Sequence, residues 1–98
     1  MAIAMLIEVP GLTQEQYEAA VQHMSQAGPA TGVPLALVHV AGPVDGGYRI
    51  VEVWNSQEDA NAFYGSALFQ ETTANLPQPT MNTWPLTAVA GSGLKEAS

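Results

Sequence analysis

The chain has 98 residues, 47% hydrophobic and 11% charged, a balance that predicts one globular domain and not a disordered segment. Only Arg49 and Lys95 are basic, against nine acidic residues, and the formal net charge is -7. Recognition of phosphates needs clustered lysine and arginine. The charge therefore argues against nucleic acid, an anionic membrane surface or a polyphosphate as partner, and favours a neutral or apolar small molecule.

The absence of cysteine excludes disulfides, zinc–thiolate sites and thiol nucleophiles. No spaced cluster of histidines and carboxylates is present, so we expect no metal site. The apolar start, residues 1–9, is too short for a membrane span and lacks the basic leader of a secretory signal. These features predict a cytoplasmic protein that does not enter the membrane.

The first quarter of the chain predicts a strand followed by a helix. Residues 2–9 form a short apolar run typical of a buried strand. Thr13 and Gln16 have the spacing of a capping box, which begins an amphipathic helix. We expect Gly28 and Pro29 to end that helix.

The middle of the chain predicts a β-hairpin. Residues 34–42 and 48–54 are rich in strand-forming residues. The segment 43–47 between them contains Asp45 and Gly46, and an Asp-Gly pair flanked by strands is a strong hairpin signal.

A second helix and a last strand follow. Ser56 is a predicted N-cap, with Asp59 at the capping-box position. Gly65 lies inside the predicted helix and weakens the expectation that it is straight. Residues 81–89 form the last strand, and Pro85 predicts an edge position or a bulge.

This order of elements predicts an α+β, ferredoxin-like βαββαβ domain over residues 1–90, with a flexible tail at residues 91–98. Its four-stranded antiparallel sheet would carry both helices on one face. The strands are apolar on both sides, so the other face would expose a large apolar patch. We therefore expect a homodimer in which two such sheets pack face to face.

Three segments carry a resemblance to a known family: Gly-Leu-Thr-Gln-Glu-Gln-Tyr at 11–17, His-Val-Ala-Gly-Pro at 39–43 and Gly-Tyr-Arg-Ile-Val-Glu-Val-Trp-Asn-Ser at 47–56. The chain resembles the dimeric α+β barrel superfamily, especially its small proteins related to antibiotic biosynthesis monooxygenases. The superfamily also includes haem-degrading enzymes, polyketide cyclases, isomerising enzymes and members without a known role. The fold alone does not choose among these activities.

The resemblance implies an enzyme that needs no cofactor, or a cyclase or isomerase with the same pocket. Monooxygenase relatives hold an aromatic substrate with Asn, Trp, Tyr and Arg side chains, for which Trp54, Asn55 and Arg49 are distant candidates here. Haem-degrading relatives use a histidine on the second helix, and the segment 56–75 has none. This difference argues against haem chemistry.

The hairpin supplies the strongest catalytic candidates. If Asp45-Gly46 is the centre of the turn, His39 lies opposite Glu52, with Cβ atoms about 4.5–5.5 Å apart. The carboxylate would orient the imidazole, which would act as general base, while Tyr48 and Trp54 on the same face stack against a flat ring. Alternatively, the pair only satisfies its own hydrogen bonds.

Aromatic residues form a second candidate set: Phe63, Tyr64 and Phe69 on the second helix and Trp84 on the last strand. They would form a core or dimer contact, or else the wall of a substrate pocket in which the Tyr64 hydroxyl orients a phenol. The remaining histidine, His23, is expected at the protein surface.

Two functions therefore stay open. An enzyme would bind a small, flat, mostly apolar molecule, with His39 and Glu52 as catalytic residues. A non-catalytic binding or assembly protein would have a small interior filled by side chains of Met5, Met24, Phe63 and Trp84. A cavity of about 300 Å³ or more that is lined by His39 would favour the enzyme.

Overall fold

The computed structural model describes residues 1–90, except for the side chains of residues 28–31. Seven elements follow one another: β1 (Ile3–Pro10), α1 (Gln14–Thr31), β2 (Val38–Val44), β3 (Gly47–Trp54), α2 (Gln57–Tyr64), α3 (Ala67–Thr73) and β4 (Thr80–Pro85). The prediction of a flexible tail at 91–98 lies outside the described residues.

The four strands form one sheet in the order β2-β3-β1-β4, and every neighbouring pair is antiparallel. This is the ferredoxin-like α+β arrangement predicted from the order of elements. The edge position of β4 is also as predicted, because proline has no backbone N–H to donate to a further strand, and Pro85 is its last residue.

Helix α1 begins as predicted and ends later. The Thr13 side chain accepts a hydrogen bond from the Gln16 backbone, and the Gln16 side chain accepts one from the Thr13 backbone. The predicted stop at Gly28 and Pro29 is wrong, because the helix continues to Thr31. A proline removes one backbone donor from the last turns without ending the helix; the stop is Gly32, whose φ of 69° glycine adopts without steric cost.

The predicted second helix is two helices. Gly65 caps α2, and the next residue, Ser66, caps α3 by accepting a hydrogen bond from the Phe69 backbone. The extended backbone of Ser66 interrupts the helical hydrogen bonding between Tyr64 and Ala67, so the segment forms two short helices.

Two strands are shorter than their apolar runs. β2 begins at Val38 and not at residue 34, because its first ladder partner is Val53, near the end of β3. β4 ends at Pro85 and not at residue 89, because Pro85 already pairs with Ile3, the first residue of β1. A strand extends only where a neighbouring strand is present to accept its hydrogen bonds.

All three helices cover the same face of the sheet, because residues of α1, α2 and α3 line one cavity with residues of β1 and β3. We call this the helix face, and its buried centre includes Met5, Ile7 and Trp54. The opposite side we call the open face. By register it carries Ala4, Leu6, Val38, Val40, Val51, Val53 and Trp84, of which Val40 and Trp84 are exposed.

Within residues 1–90 no helix combines the length and the apolar character needed to cross a membrane.

Candidate active site

The hairpin places His39 against Glu52 with the predicted register. Strands β2 and β3 are joined by two residues, Asp45 and Gly46, and Gly46 has a φ of 77°. No bulge interrupts the ladder, so His39 pairs with Glu52. The imidazole Nδ1 lies 2.7 Å from the carboxylate Oε2. The predicted contact is confirmed; the catalytic roles of both residues remain predictions.

Glu52 is the buried centre of the site, with 5% of its surface exposed. Its Oε2 faces His39, and its Oε1 accepts hydrogen bonds from the Trp54 indole N–H at 2.9 Å and the Tyr64 hydroxyl at 2.5 Å. Burial alone would raise the pKa of Glu52, but the hydrogen bonds from His39, Tyr64 and Trp54 outweigh it and hold the pKa below its ordinary value. The network therefore keeps a carboxylate anion in the protein interior.

Tyr17 completes the site on the other side of the imidazole. Its hydroxyl oxygen lies 2.6 Å from Nε2 of His39. In the neutral imidazole, the Nδ1–H donates to Glu52 and Nε2 accepts the Tyr17 proton, because a carboxylate can only accept. Burial is the main cause that raises the pKa of Tyr17, and the neighbouring Tyr48 and Glu52 raise it further. The phenol therefore stays protonated.

Tyr17 is not among the predicted site residues. With Thr13 as N-cap, however, Leu12 and Tyr17 occupy the N′ and N4 positions of a hydrophobic staple, which fixes the entry of the chain into the helix. The Tyr17 ring also stacks on Tyr48, with centroids 4.9 Å apart and 18° between the planes. These contacts hold the hydroxyl at His39.

Aromatic rings surround the buried carboxylate. Trp54, only 1% exposed, packs against Phe63 and Tyr64 with centroid distances of 5.4 and 6.0 Å. Phe69 from α3 contacts Tyr64 edge to face at 4.7 Å. Burial is the main cause that raises the pKa of the Tyr64 phenol, helped by the adjacent Glu52 charge, so Tyr64 remains a donor. The cluster fixes the carboxylate in one orientation.

A cavity of about 700 Å³ lies between the sheet and the helices. Its wall includes Tyr17, His39, Glu52 and Tyr64, and the remainder is largely apolar. An enzyme was predicted to have a cavity of about 300 Å³ or more lined by His39, and a binding or assembly protein was predicted to have an interior filled by side chains. The cavity exceeds that size, which favours a ligand-binding interior.

The structure brings together five of the predicted site residues at the cavity wall: His39, Glu52, Trp54, Phe63 and Tyr64. Tyr48 shares the helix face but lies behind Tyr17, 5% exposed and outside the cavity lining.

Three other candidates lie elsewhere. Trp84 pairs with Ala4 and therefore points to the open face, where it is 46% exposed. Its predicted place in a pocket wall or a filled interior is wrong, and the alternative of a dimer contact stays a prediction. Arg49 is on the same open face, with its Nη2 3.3 Å from Glu8 Oε2. Asn55 follows β3 and is not among the lining residues.

Across the described residues, no group of three or more His, Asp or Glu side chains converges as metal ligands would. His23 is exposed on α1, away from His39.

The lowered pKa of Glu52 predicts how stability depends on pH. A carboxyl whose folded-state pKa is below its unfolded value, about 4.3, stabilises the fold fully above that value. This stabilisation is lost as the pH falls through the lower, folded-state pKa. Urea unfolding between neutral pH and about pH 3 should show this loss, with a flatter acid slope in Glu52→Gln. Equal acid slopes would mean that Glu52 is not held as an anion.

Solved structures share this fold. A protein from Caulobacter crescentus that is provisionally named an antibiotic biosynthesis monooxygenase superimposes with a TM-score of 0.66, at 17% identity, over 91% of each chain. A single-residue variant of SnoaB, a cofactor-independent oxygenase from Streptomyces nogalater, gives 0.60 at 11% identity, over 88% of this chain and 92% of SnoaB. A dimeric ferredoxin-like protein of unknown function from Thermobifida fusca gives 0.60 at 14% identity, with the same coverage of 88% and 92%.

No protein-family model matches the sequence, and no curated protein matches it. The solved structures, in contrast, show that the chain has the ferredoxin-like α+β fold of antibiotic biosynthesis monooxygenase-like proteins, as the resemblance implied.

Proposed function

We propose that this chain is a cofactor-independent enzyme that removes a proton from a hydroxyl group of a small, flat, mostly apolar molecule, in the manner of a monooxygenase. The observation that carries the proposal is the His39–Glu52 pair, 2.7 Å apart, at the wall of a cavity of about 700 Å³. SnoaB, described as a cofactor-independent oxygenase, has the same fold.

The electrostatics of the site suit proton removal. A proton that arrives on the imidazole creates a cation directly beside the Glu52 anion, and this charge pair stabilises the imidazolium. Trp54 and Tyr64 hold the carboxylate in place, so little reorganisation is needed when the charge forms. A positioned general base of this kind contributes about 10²–10⁴-fold to a rate.

The lining also restricts the substrate. No lysine or arginine lies among the described residues that line the cavity, so a carboxylate or phosphate would enter beside Glu52 without a compensating cation. A neutral phenol of drug-like size or smaller meets the volume and the apolar wall.

The oxygenase chemistry needs no external reductant. Loss of the hydroxyl proton gives an electron-rich phenolate, which O₂ can oxidise. A phenol with a free ring C–H plus O₂ gives a quinone plus water, so the substrate supplies all the electrons. A cyclase or isomerase would use the same proton removal without consuming O₂.

His39→Gln is expected to lower turnover of a phenol by about 100-fold or more, because glutamine keeps hydrogen-bonding capacity but cannot take up a proton. The chain offers a matched control in His23→Gln, since His23 is exposed and outside the cavity lining. Oxygen uptake and phenol loss would be followed together on chelator-treated protein. Equal rates for the two variants would rule out His39 as the base.

We also propose a homodimer formed through the open face. Val40 and Trp84 are 56% and 46% exposed there, and the only charges on the central strands at this face are the Glu8–Arg49 pair near one end. A chain of net charge -7 repels a second copy of itself. Association therefore requires a contact surface whose centre has no acidic groups, and the open face meets this requirement. The fold is shared with a protein described as a dimeric ferredoxin-like protein.

A further inference from the structure

We propose that the Tyr17 hydroxyl, and not the imidazole of His39, is the group that contacts the substrate hydroxyl and relays its proton to His39. This inference rests on the proposed function and adds the residue that meets the substrate. It makes Tyr17 a catalytic residue, His39 the proton acceptor behind it and Glu52 the anion that stabilises the result.

The first argument is that His39 has no free nitrogen for a substrate. Nδ1 is 2.7 Å from Glu52 Oε2, and Nε2 is 2.6 Å from the Tyr17 oxygen. An imidazole has only these two positions for proton transfer, and both are in use. A substrate proton can therefore reach the ring only through Tyr17 or after Tyr17 has moved away.

The second argument is that Tyr17 is held in place. The capping box formed by Thr13 and Gln16 fixes the first turn of α1, and the ring lies flat against Tyr48. The Tyr17 and His39 rings are also nearly parallel, 12° apart in plane, with centroids 6.0 Å apart. Displacing the phenol would break these contacts, so the substrate more readily meets its oxygen in the observed position.

The relay balances as one proton moved across two hydrogen bonds. The substrate O–H bond breaks as its proton goes to the Tyr17 oxygen. The Tyr17 O–H bond breaks as that proton goes to Nε2 of His39. The products are a substrate phenolate, an unchanged neutral Tyr17, and an imidazolium paired with the Glu52 carboxylate. Burial keeps Tyr17 protonated at rest, as a relay requires.

The probe is 4-nitrophenol, whose phenolate form has its own visible absorbance, with 4-nitroanisole as a control that has no proton to give. On wild-type protein, we expect a pH titration to give bound 4-nitrophenol an apparent pKa about one unit or more below its value in water, because an imidazolium forms beside it. In Tyr17→Phe the probe should still bind, and the lowering should disappear. Phenylalanine keeps the ring stacked on Tyr48 and removes only the hydroxyl, so circular dichroism and thermal unfolding should stay close to wild type.

A double-mutant comparison separates the relay from a structural role. If Tyr17 acts through His39, Tyr17→Phe has no further effect on probe ionisation once His39→Gln is present. If Tyr17→Phe retains the lowered pKa while His39→Gln loses it, the relay is overturned and the proposed function stands. If wild-type protein fails to bind the probe, or binds it without ionising it, the proposed function fails and the relay fails with it.

Discussion

Glu52→Gln is expected to impair both catalysis and stability. The carboxylate accepts hydrogen bonds on both oxygens, from His39 on one and from Trp54 and Tyr64 on the other. An amide has one accepting oxygen, so its NH₂ group faces either the buried Trp54 donor together with Tyr64, or Nδ1 of His39. Leaving a buried donor unsatisfied costs about 1–3 kcal/mol. Turnover should fall about 100-fold or more, because the imidazolium loses its counter-charge.

The matched control is Glu8→Gln. Glu8 likewise accepts a hydrogen bond from a side chain on the neighbouring strand, Arg49 at 3.3 Å, but the pair is about half exposed and lies on the open face. Such pairs contribute about 0–1 kcal/mol. Urea unfolding and turnover should therefore place Glu8→Gln near wild type. If the two variants lose equal stability, the buried network around Glu52 contributes no more to the free energy of unfolding than the exposed Glu8–Arg49 pair.

Val51→Glu is expected to dissociate the proposed homodimer. Val51 lies at the centre of the open face, directly between Leu6 on β1 and Val40 on β2. Across a two-fold contact each substitution buries a carboxylate near its copy, and an unpaired buried charge costs about 3–5 kcal/mol. The dimer dissociation constant should rise by about 100-fold or more, as measured by sedimentation equilibrium.

Gln22→Glu adds the same charge at an exposed position of α1 and should leave the association unchanged. Circular dichroism would show whether Val51→Glu still folds, and Val51→Thr keeps the side-chain shape without a charge. A wild-type chain that sediments as a folded monomer at micromolar concentration would contradict the dimer. So would dissociation of the Gln22→Glu control to the same extent.

The fold was largely predictable, because local signals and hydrophobic periodicity agree in this chain. The capping box at Thr13 and Gln16, the Asp45-Gly46 turn and the order of elements each depend on a few adjacent residues. The His39–Glu52 pair was predictable for the same reason, since a two-residue turn fixes the register of both strands.

The wrong predictions of strand ends and of the position of Trp84 share a physical cause, because both features depend on which strands pair in the folded sheet. The apolar runs at 34–37 and 86–89 have strand-like composition, but the sheet ladder stops at their inner ends, where Leu37 donates to Val53 and Leu86 donates to Ala2. The aromatic character of Trp84 predicts a core contact, a dimer contact or a pocket wall without choosing among them, whereas its pairing with Ala4 decides its face. A shift of one residue along a strand moves a side chain to the other face of the sheet, and amino-acid composition does not reveal such a shift.

Tyr17 was missed for a related reason. Its aromatic ring fits the apolar face of α1, so the sequence pattern gives no reason to look for a polar role. Its hydroxyl nevertheless contacts His39, 22 residues away in the sequence. Only the packing of α1 across β2 and β3 creates that contact. Three elements thus supply one hydrogen-bonded series: Tyr17 from α1, His39 from β2 and Glu52 from β3.

The central claim is that a neutral His39 imidazole, held between Glu52 and Tyr17, receives a proton when a phenol binds. Nitrogen NMR of histidine-labelled protein tests it directly, because the chain has only two histidines and His23→Gln assigns them. At a pH where the ligand-free ring is neutral, we expect His39 to carry its proton on Nδ1 alone and to gain one on Nε2 at saturation with 4-nitrophenol, while His23 does not change. An Nε2–H tautomer in the free protein, or a ring that stays neutral at saturation, would contradict the claim.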